Sequence, residues 1–129
     1  MPLTVTSKER EAGVVTVFPA GSLDSNTYTI LEDRLALIKK GNPRAIVFDL
    51  KDLTYISSAG VRVFVGIKKA MKATGGTVAL ANLQPQIRKV FEIIQALPSV
   101  NIFESVEELD QYLAEMQRKV RAGENEGRR

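Results

Sequence analysis

Apolar residues recur along this chain with two different periods, one typical of strands and one typical of helices. Leu3–Ser7 alternates apolar and polar residues, and residues 14–18 form an apolar stretch after a charged run and Gly13. This pattern predicts a β-hairpin at or near one edge of a sheet, ended by Pro19-Ala20-Gly21.

Two later segments, Ala45-Ile46-Val47-Phe48 and Thr77–Ala81, are continuous apolar runs. Such runs are typical of parallel strands buried on both faces, so we expect both strands inside the sheet. A charge at Val47 would then unfold the domain, because it would lie unpaired in the core. A short strand is also predicted around residues 101–103.

Four other segments repeat apolar residues at helical spacing, which predicts amphipathic helices. Their apolar positions are Tyr28, Leu31, Leu35 and Ile38; Val61, Phe64, Ile67 and Met71; Ile87, Val90, Phe91, Ile94 and Leu97; and Val106, Leu109, Leu113 and Met116. The first helix is predicted to begin at an N-cap within residues 22–26 and to end at 41–43, and the second to end at 75–76. The third is predicted to begin at Pro85 and to end at Pro98. A capping box at 105–108 predicts the start of the fourth.

Strands that alternate with helices predict an α/β fold with a mixed, mostly parallel sheet of about five strands and about four helices. We expect a single domain over residues 1–121. Residues 122–129 contain no large apolar side chain, which predicts a disordered C-terminal tail.

The amino-acid composition excludes several kinds of catalytic and metal-binding chemistry. The sequence contains no His and no Cys, which removes the usual general base, the commonest metal ligand and thiolate chemistry. It has no Walker loop, no GxGxxG and no Ser–His pair, so we expect no enzyme, no cofactor and no metal. The net charge is +3, and the scattered basic residues with few aromatic neighbours favour no nucleic-acid partner.

The N-terminus lacks the features of a signal peptide, and no apolar stretch approaches the roughly 20 residues that span a bilayer. We therefore expect a cytoplasmic protein with no membrane span.

The candidate site is the segment Ile56-Ser57-Ser58-Ala59-Gly60-Val61-Arg62, which joins a buried strand to the second helix. A helix N-terminus has free N–H groups and a positive dipole end, and this makes it a ready site for a phosphate. We expect Ser58 to be the N-cap and the serine loop to be exposed beside Asp24. Arg62, one turn further on, either reaches a phosphate on Ser58 or is solvated.

Two aspartates accompany this segment. Asp24 is a helix cap, a partner contact or a loop-ordering residue. Asp49 ends a central strand, and we expect it to accept hydrogen bonds from loop amides rather than to bind a metal.

Three segments in this order resemble the STAS domain of bacterial anti-sigma-factor antagonists. They are Gly21-Ser22-Leu23-Asp24, residues 49–61 with the serine pair, and Gln84–Glu92. The resemblance covers residues 3–116 and implies a single STAS-like domain. It also implies that Ser58 is the phosphorylated serine, with Ser57 as the less favoured acceptor. Ser57 stands where many members have Asp, and Ala59 where they have Ser or Thr.

The resemblance further implies a function and partners. The dephosphorylated protein would bind an anti-sigma factor with serine kinase activity through Asp24, Ser57, Ser58 and Arg62. Phosphorylation would release it, and a PP2C-type phosphatase would reset it. The alternative is an unswitched STAS interaction subunit, for example of a bacterial lipid transporter, in which the serines only shape the loop.

Overall fold

The computed structural model describes residues 2–96 and 105–123. In these ranges the chain forms five strands and four helices, which confirms the α/β class. The elements are β1 (Leu3–Glu11), β2 (Val14–Leu23), α1 (Tyr28–Lys40), β3 (Ala45–Asp49), β4 (Leu53–Ile56), α2 (Ser58–Ala73), β5 (Thr77–Ala81), α3 (Pro85–Ala96) and α4 (Val106–Arg121). The strand predicted near residues 101–103, the helix end at Pro98 and the tail from residue 124 lie outside the described residues.

Strand β2 organises the sheet, because its two halves pair with different strands on the same side. Residues 14–17 of β2 pair in parallel with β3, and residues 21–23 pair in parallel with β4. On its other side β2 pairs antiparallel with β1, which confirms the hairpin at one edge. Strand β5 pairs in parallel with β3.

The prediction that Pro19-Ala20-Gly21 ends the hairpin strand is wrong, because β2 continues through it to Leu23. Pro19 falls between the half of β2 that pairs with β3 and the half that pairs with β4. Its missing N–H therefore removes no hydrogen bond to either strand. Gly21 has φ +110, and a Cβ there would run into the carbonyl oxygen of Pro2, so this position requires glycine.

The sheet is buried on one face only, which corrects the expectation that its apolar strands are buried on both. In β3 the Ile46 and Phe48 side chains are fully buried, whereas Val47 is half-buried. Strand β5 is the outermost strand of the described sheet beside β3 and alternates between exposed and half-buried residues. An uninterrupted apolar run in a short strand does not reveal whether helices cover one face or two.

On the less covered face, cationic side chains shield an aromatic ring. The Arg10 guanidinium carbon lies 5.9 Å from the centroid of Phe18, and Lys51 Nζ lies 4.9 Å from it. Both contacts have the distances of cation–π interactions.

The helices pack on the covered face around a line of aromatic rings. Phe48 of β3 meets Phe64 of α2 edge-on at 4.8 Å between centroids, and Phe64 meets Phe91 of α3 at 5.6 Å. The predicted apolar positions of α1, α2 and α3 within the described residues all belong to this core, either fully buried or packed against it. The sequence periodicity thus identified the buried faces of three helices.

Helix α4 departs from its prediction at both ends of its apolar stripe. Leu113 is fully buried and Leu109 and Met116 pack against the core, but Val106 in the first turn is 51% exposed. Gln117, which the apolar pattern did not include, is buried at 2% exposure. The Ser105 hydroxyl accepts a hydrogen bond from the Glu108 N–H at 3.1 Å, as the capping motif predicts.

We predict that neighbouring residues of β3 differ sharply in their contribution to stability. Ile46→Ala should lower the free energy of unfolding by about 2–5 kcal/mol, because it leaves a cavity in the core. Val47→Ala should lower the free energy of unfolding by less than about half of that amount, because the Val47 side chain is only half-buried. Urea unfolding of the two variants checks this, and equal losses would mean that the second face of the sheet is also covered.

Candidate functional site

The pairing of β2 with β4 places the serine loop beside the loop that carries Asp24. Leu23 pairs with Ile56 at the ends of these strands, and the Ser57 N–H donates to the Leu23 carbonyl at 2.9 Å. Asp24 and Ser57 each follow directly on these paired residues, so the predicted neighbourhood of the two loops is confirmed. The four-residue strand β4 itself was missed, and its signal is the β-favouring Thr54-Tyr55-Ile56.

The N-cap of α2 is Ser57, not Ser58 as predicted from the sequence. Ser57 has an extended backbone, with φ −102 and ψ 178, and its carbonyl accepts from the Val61 N–H at 3.0 Å. Its side chain makes no capping hydrogen bond. Ser58 is therefore the first helical residue, and its N–H belongs to the group that has no partner within the helix.

Both serines are buried, so the prediction of an exposed loop is wrong. Ser57 is 4% exposed and Ser58 is 5% exposed. Neither hydroxyl oxygen has a hydrogen-bond partner among the described residues. A buried hydroxyl that lacks a partner costs about 1–3 kcal/mol.

Asp110 of α4 occupies the anion site at the N-terminus of α2. Its Oδ1 accepts a hydrogen bond from the Ser58 N–H at 2.8 Å. A carboxylate at this position is stabilised by the helix dipole and by a charge-assisted hydrogen bond. Sequence reasoning missed this residue, although an acidic side chain between Leu109 and Leu113, on the apolar side of α4, was a signal.

Two buried glutamines hydrogen-bond the backbone of β4. Gln117 of α4 donates to the Ile56 carbonyl at 2.8 Å and accepts from the Ile56 N–H at 3.1 Å. Gln86 of α3 donates to the Thr54 carbonyl at 2.9 Å. Their amide groups thus serve β4 as a neighbouring strand would.

Asp24 orders the loop that leads into α1. Its Oδ1 accepts from the Asn26 N–H at 2.9 Å, and its carbonyl accepts from the Thr27 and Tyr28 N–H groups. The N-cap of α1 is Thr27 rather than any residue of 22–26, and its side chain makes no cap hydrogen bond. Of the three roles left open for Asp24, loop ordering is therefore the one with direct contacts.

Negative charge accumulates around the first turn of α2. Burial, together with the charges of Asp110 and Asp24, raises the pKa of the Tyr55 hydroxyl above its ordinary value. Tyr55 is thus in electrostatic reach of both carboxylates. A further anion at Ser58 would meet charge of its own sign.

Arg62 makes no hydrogen bond to either serine hydroxyl. It is exposed and lines a groove of about 290 Å³ between α1 and α2, together with Glu32 and Lys39. Within residues 2–96 and 105–123 no ion pair of Arg62 is formed, so its contact with a phosphate stays a prediction.

Asp49 accepts hydrogen bonds at the end of β3, as expected. Its Oδ1 accepts from the Lys51 N–H and from Asn82 Nδ2, each at 3.2 Å. Partial burial acts to raise the pKa of Asp49, but these hydrogen bonds and the nearby Lys51 charge hold it below its ordinary value. In the described part of the chain, no three acidic side chains cluster closely enough to hold a metal ion.

Gly60 permits the close approach of α2 to the ends of β2 and β4. A Cβ on Gly60 would lie 2.7 Å from Ile56 Cγ1 and 2.8 Å from Leu23 Cγ. Gly66, one and a half turns further along the same helix, faces open space. The absence of a side chain at Gly60 therefore sets how tightly the serine turn packs against the sheet.

Comparisons with known proteins agree with this architecture. The STAS domain family matches residues 6–109. The chain is 40% identical over 73 residues to BtrV of Bordetella bronchiseptica, covering 57% of this chain and 63% of BtrV. It is 34% identical over 94 residues to the anti-sigma-B factor antagonist of Bacillus subtilis, covering 72% of this chain and 84% of that protein.

Solved structures share the fold at lower identity. The unphosphorylated anti-sigma factor antagonist SpoIIAA of Bacillus superposes with a TM-score of 0.60 and 23% identity, covering 84% of this chain and 97% of SpoIIAA. An anti-sigma factor antagonist from Mycobacterium paratuberculosis gives 0.61 and 18%, covering 86% and 95%. Among the described residues, no helix is both long and apolar enough to cross a membrane.

We predict opposite effects of the same substitution at the two glycines of α2. Gly60→Ala should lower the free energy of unfolding by about 1–3 kcal/mol, because the methyl group overpacks against Leu23 and Ile56. Gly66→Ala should raise it by about 0.5–1 kcal/mol, because alanine favours the helix and meets nothing. Urea unfolding measures both, and a neutral Gly60→Ala would contradict the close approach.

We also predict that Gln117 anchors α4 through its amide rather than through its volume. Gln117→Leu should destabilise the protein by about 1–3 kcal/mol, because the Ile56 N–H and carbonyl lose their partners. The exposed Gln111→Leu on the same helix should stay within about 0.5 kcal/mol of wild type. Equal stability of the two variants in urea unfolding would remove the role given to the amide.

Proposed function

Since this chain belongs to the STAS domain family, we propose that it is an anti-sigma-factor antagonist switched by phosphorylation of Ser58. In this proposal the dephosphorylated protein binds an anti-sigma factor with serine kinase activity. That partner phosphorylates Ser58 and thereby releases the antagonist, and a PP2C-type phosphatase restores it. The names of its relatives, which include anti-sigma-B factor antagonists of Bacillus and Listeria, support this function.

The observation that carries the proposal is the position of Ser58 on the first turn of α2, directly after β4. Its N–H already binds a carboxylate, so this turn accommodates an anion in the folded protein. A phosphate there would also be stabilised by the positive end of the α2 dipole. The folded state should therefore survive phosphorylation, and the effect should fall on binding.

The proposed partner-binding residues are Asp24, Ser57, Ser58 and Arg62, around the loops that follow β2 and β4. Arg62 is exposed and Asp24 is half-buried, whereas both serines are buried in the structure. A phosphate adds a charge of about −1.5 to −2 at pH 7 beside Asp24 and Asp110. A partner that fits the dephosphorylated surface must then desolvate or repel that charge. A loss of about 2–4 kcal/mol in binding would weaken the complex roughly 30- to 1,000-fold, which is enough for a switch.

This function requires recognition and no catalysis by the chain itself, so we propose a non-catalytic regulator of the bacterial cytoplasm. The relatives are named for a regulatory role, which supports this proposal.

Two observations favour a second candidate, an unswitched STAS interaction subunit. Both serine hydroxyls are buried, and Ser57 stands where many family members have Asp. In such a subunit, for example of a bacterial lipid transporter, the serines would only shape the turn.

We predict that binding to the anti-sigma partner depends on charge at position 58. Ser58→Ala should bind the partner and not be released by ATP, because the phosphate acceptor is missing. Ser58→Asp should bind at least about tenfold more weakly, because it fixes a negative charge at the start of α2, among the proposed partner-binding residues. Thr6→Ala removes an exposed hydroxyl from β1, outside the proposed partner-binding residues, and is the control that should bind and be released like wild type.

Incubation with the cognate kinase and ATP, followed by peptide mass spectrometry, locates the phosphate. A phosphate on Ser57 would move the site by one residue and overturn the assignment to Ser58. No phosphate on either serine, with binding indifferent to Ser58→Asp, would establish the unswitched subunit instead.

A further inference from the structure

A serine that accepts a phosphoryl group must present its hydroxyl oxygen to the donor. Ser58 Oγ has essentially no solvent-exposed surface and no hydrogen-bond partner. In phosphorylation this oxygen forms a bond to the γ-phosphorus of ATP, the bond from that phosphorus to the β-phosphate oxygen breaks, ADP leaves, and the hydroxyl proton passes to a base or to water. The attacking oxygen has to be reachable, so part of the structure must move first.

Helix α4 is the element that meets the serine turn from outside the sheet. Asp110 binds the Ser58 N–H at 2.8 Å, and Gln117, two turns later, binds both backbone polar groups of Ile56. Leu113 between them is fully buried. These three side chains lie on one face of α4 and hold it over the link between β4 and α2.

Helix α4 can also leave without breaking the sheet. It contributes no strand, and the ladders among β1, β2, β3, β4 and β5 involve none of its residues. Its hydrogen bonds to the serine turn are made by the Asp110 and Gln117 side chains and not by backbone pairing. Local opening of such an element is less costly than global unfolding.

We propose that α4 is a cover for Ser58, and that a docked Asp110 and a phosphate on Ser58 exclude each other. This inference rests on the proposed function and adds the regulation of its site. The docked carboxylate takes the amide that a phosphate would use, and thereby slows phosphorylation. Once present, the phosphate repels Asp110 and keeps α4 displaced, because both carry negative charge at the same helix terminus.

The two halves of the proposal are linked by reciprocity. At equilibrium, the free energy by which docking of α4 disfavours the phosphorylated state equals the free energy by which the phosphate disfavours docking; the effect of docking on the rate of phosphorylation is measured separately. Opening of α4 uncovers the Ile56 backbone and the apolar side chains Leu109, Leu113 and Met116. Phosphorylation therefore changes the shape of this face of the protein as well as its charge.

Hydrogen–deuterium exchange of α4 tests the exclusion without any kinase. Ser58→Asp should speed exchange of the α4 amides by at least about tenfold relative to Ser58→Asn, which has the same size and no charge. Adding Asp110→Asn to Ser58→Asp should restore most of the protection, because the repulsion is removed. Equal exchange in the Asp and Asn variants, or no rescue, would overturn the proposal.

The amides of β3 serve as the control for global unfolding in the same experiment. If Ser58→Asp also speeds exchange of the β3 amides, the variant unfolds globally, and the kinase assay then tests the proposal. There, Asp110→Asn should raise the rate of Ser58 phosphorylation about three- to tenfold, because the amide oxygen can still accept from the Ser58 N–H but the charge assistance is lost. Glu107→Gln removes the same charge from an exposed site of α4 and should leave the rate at the wild-type value.

The two assays also separate this proposal from the proposed function. Equal phosphorylation rates in wild type and Asp110→Asn would refute the cover and leave the switched antagonist intact. Absence of phosphate in every variant would refute the switch at Ser58. In that case, the exchange experiment still decides whether α4 and a negative charge at position 58 exclude each other.

Discussion

The parallel pairing of two halves of β2 with β3 and then β4 is the constraint on which the site depends. Because β4 ends level with β2, at Leu23 and Ile56, the two following loops leave the sheet side by side. Gly60 then allows the first turn of α2 to press against both strand ends, where a Cβ would lie 2.7 Å from Ile56. The serine turn is thereby buried at its base, and whatever lies above it controls access to Ser58.

Helix α4, which lies over the serine turn, contacts it through polar side chains and packs around it through apolar ones. Asp110 satisfies the N–H that the helix leaves free, while Gln117 satisfies the edge of β4. Each of these hydrogen bonds gives a partner to a backbone group that would otherwise be unpaired. The Ser57 and Ser58 hydroxyls, by contrast, have no hydrogen-bond partner among the described residues. A purely structural turn would be expected to use its serine side chains as caps. Their unsatisfied burial is consistent with a turn that is stable when closed and reactive when open.

Much of the fold follows from local patterns in the sequence. The hairpin and the apolar faces of α1, α2 and α3 follow from periodicity, and strands β3 and β5 follow from uninterrupted apolar runs, because each is a local preference of the sequence. Strand β4 was missed because four residues are too short for a period. One-sided burial of β3, and the contacts of Asp110 and Gln117 with residues more than fifty positions away, depend on tertiary packing. The sequence therefore indicated Ser58 and Asp24 as site residues, but it did not indicate that α4 lies over the serine turn.

The central claim is that one anion site at the start of α2 is shared by Asp110 and a phosphate on Ser58. The most direct measurement is a crystal structure of the protein with phosphoserine incorporated at position 58 during translation. We predict phosphate oxygens on the free N–H groups of the first turn, with Asp110 no longer in hydrogen-bond distance of Ser58 N. A structure in which Asp110 still accepts from that N–H, with the phosphate turned into solvent, would contradict it.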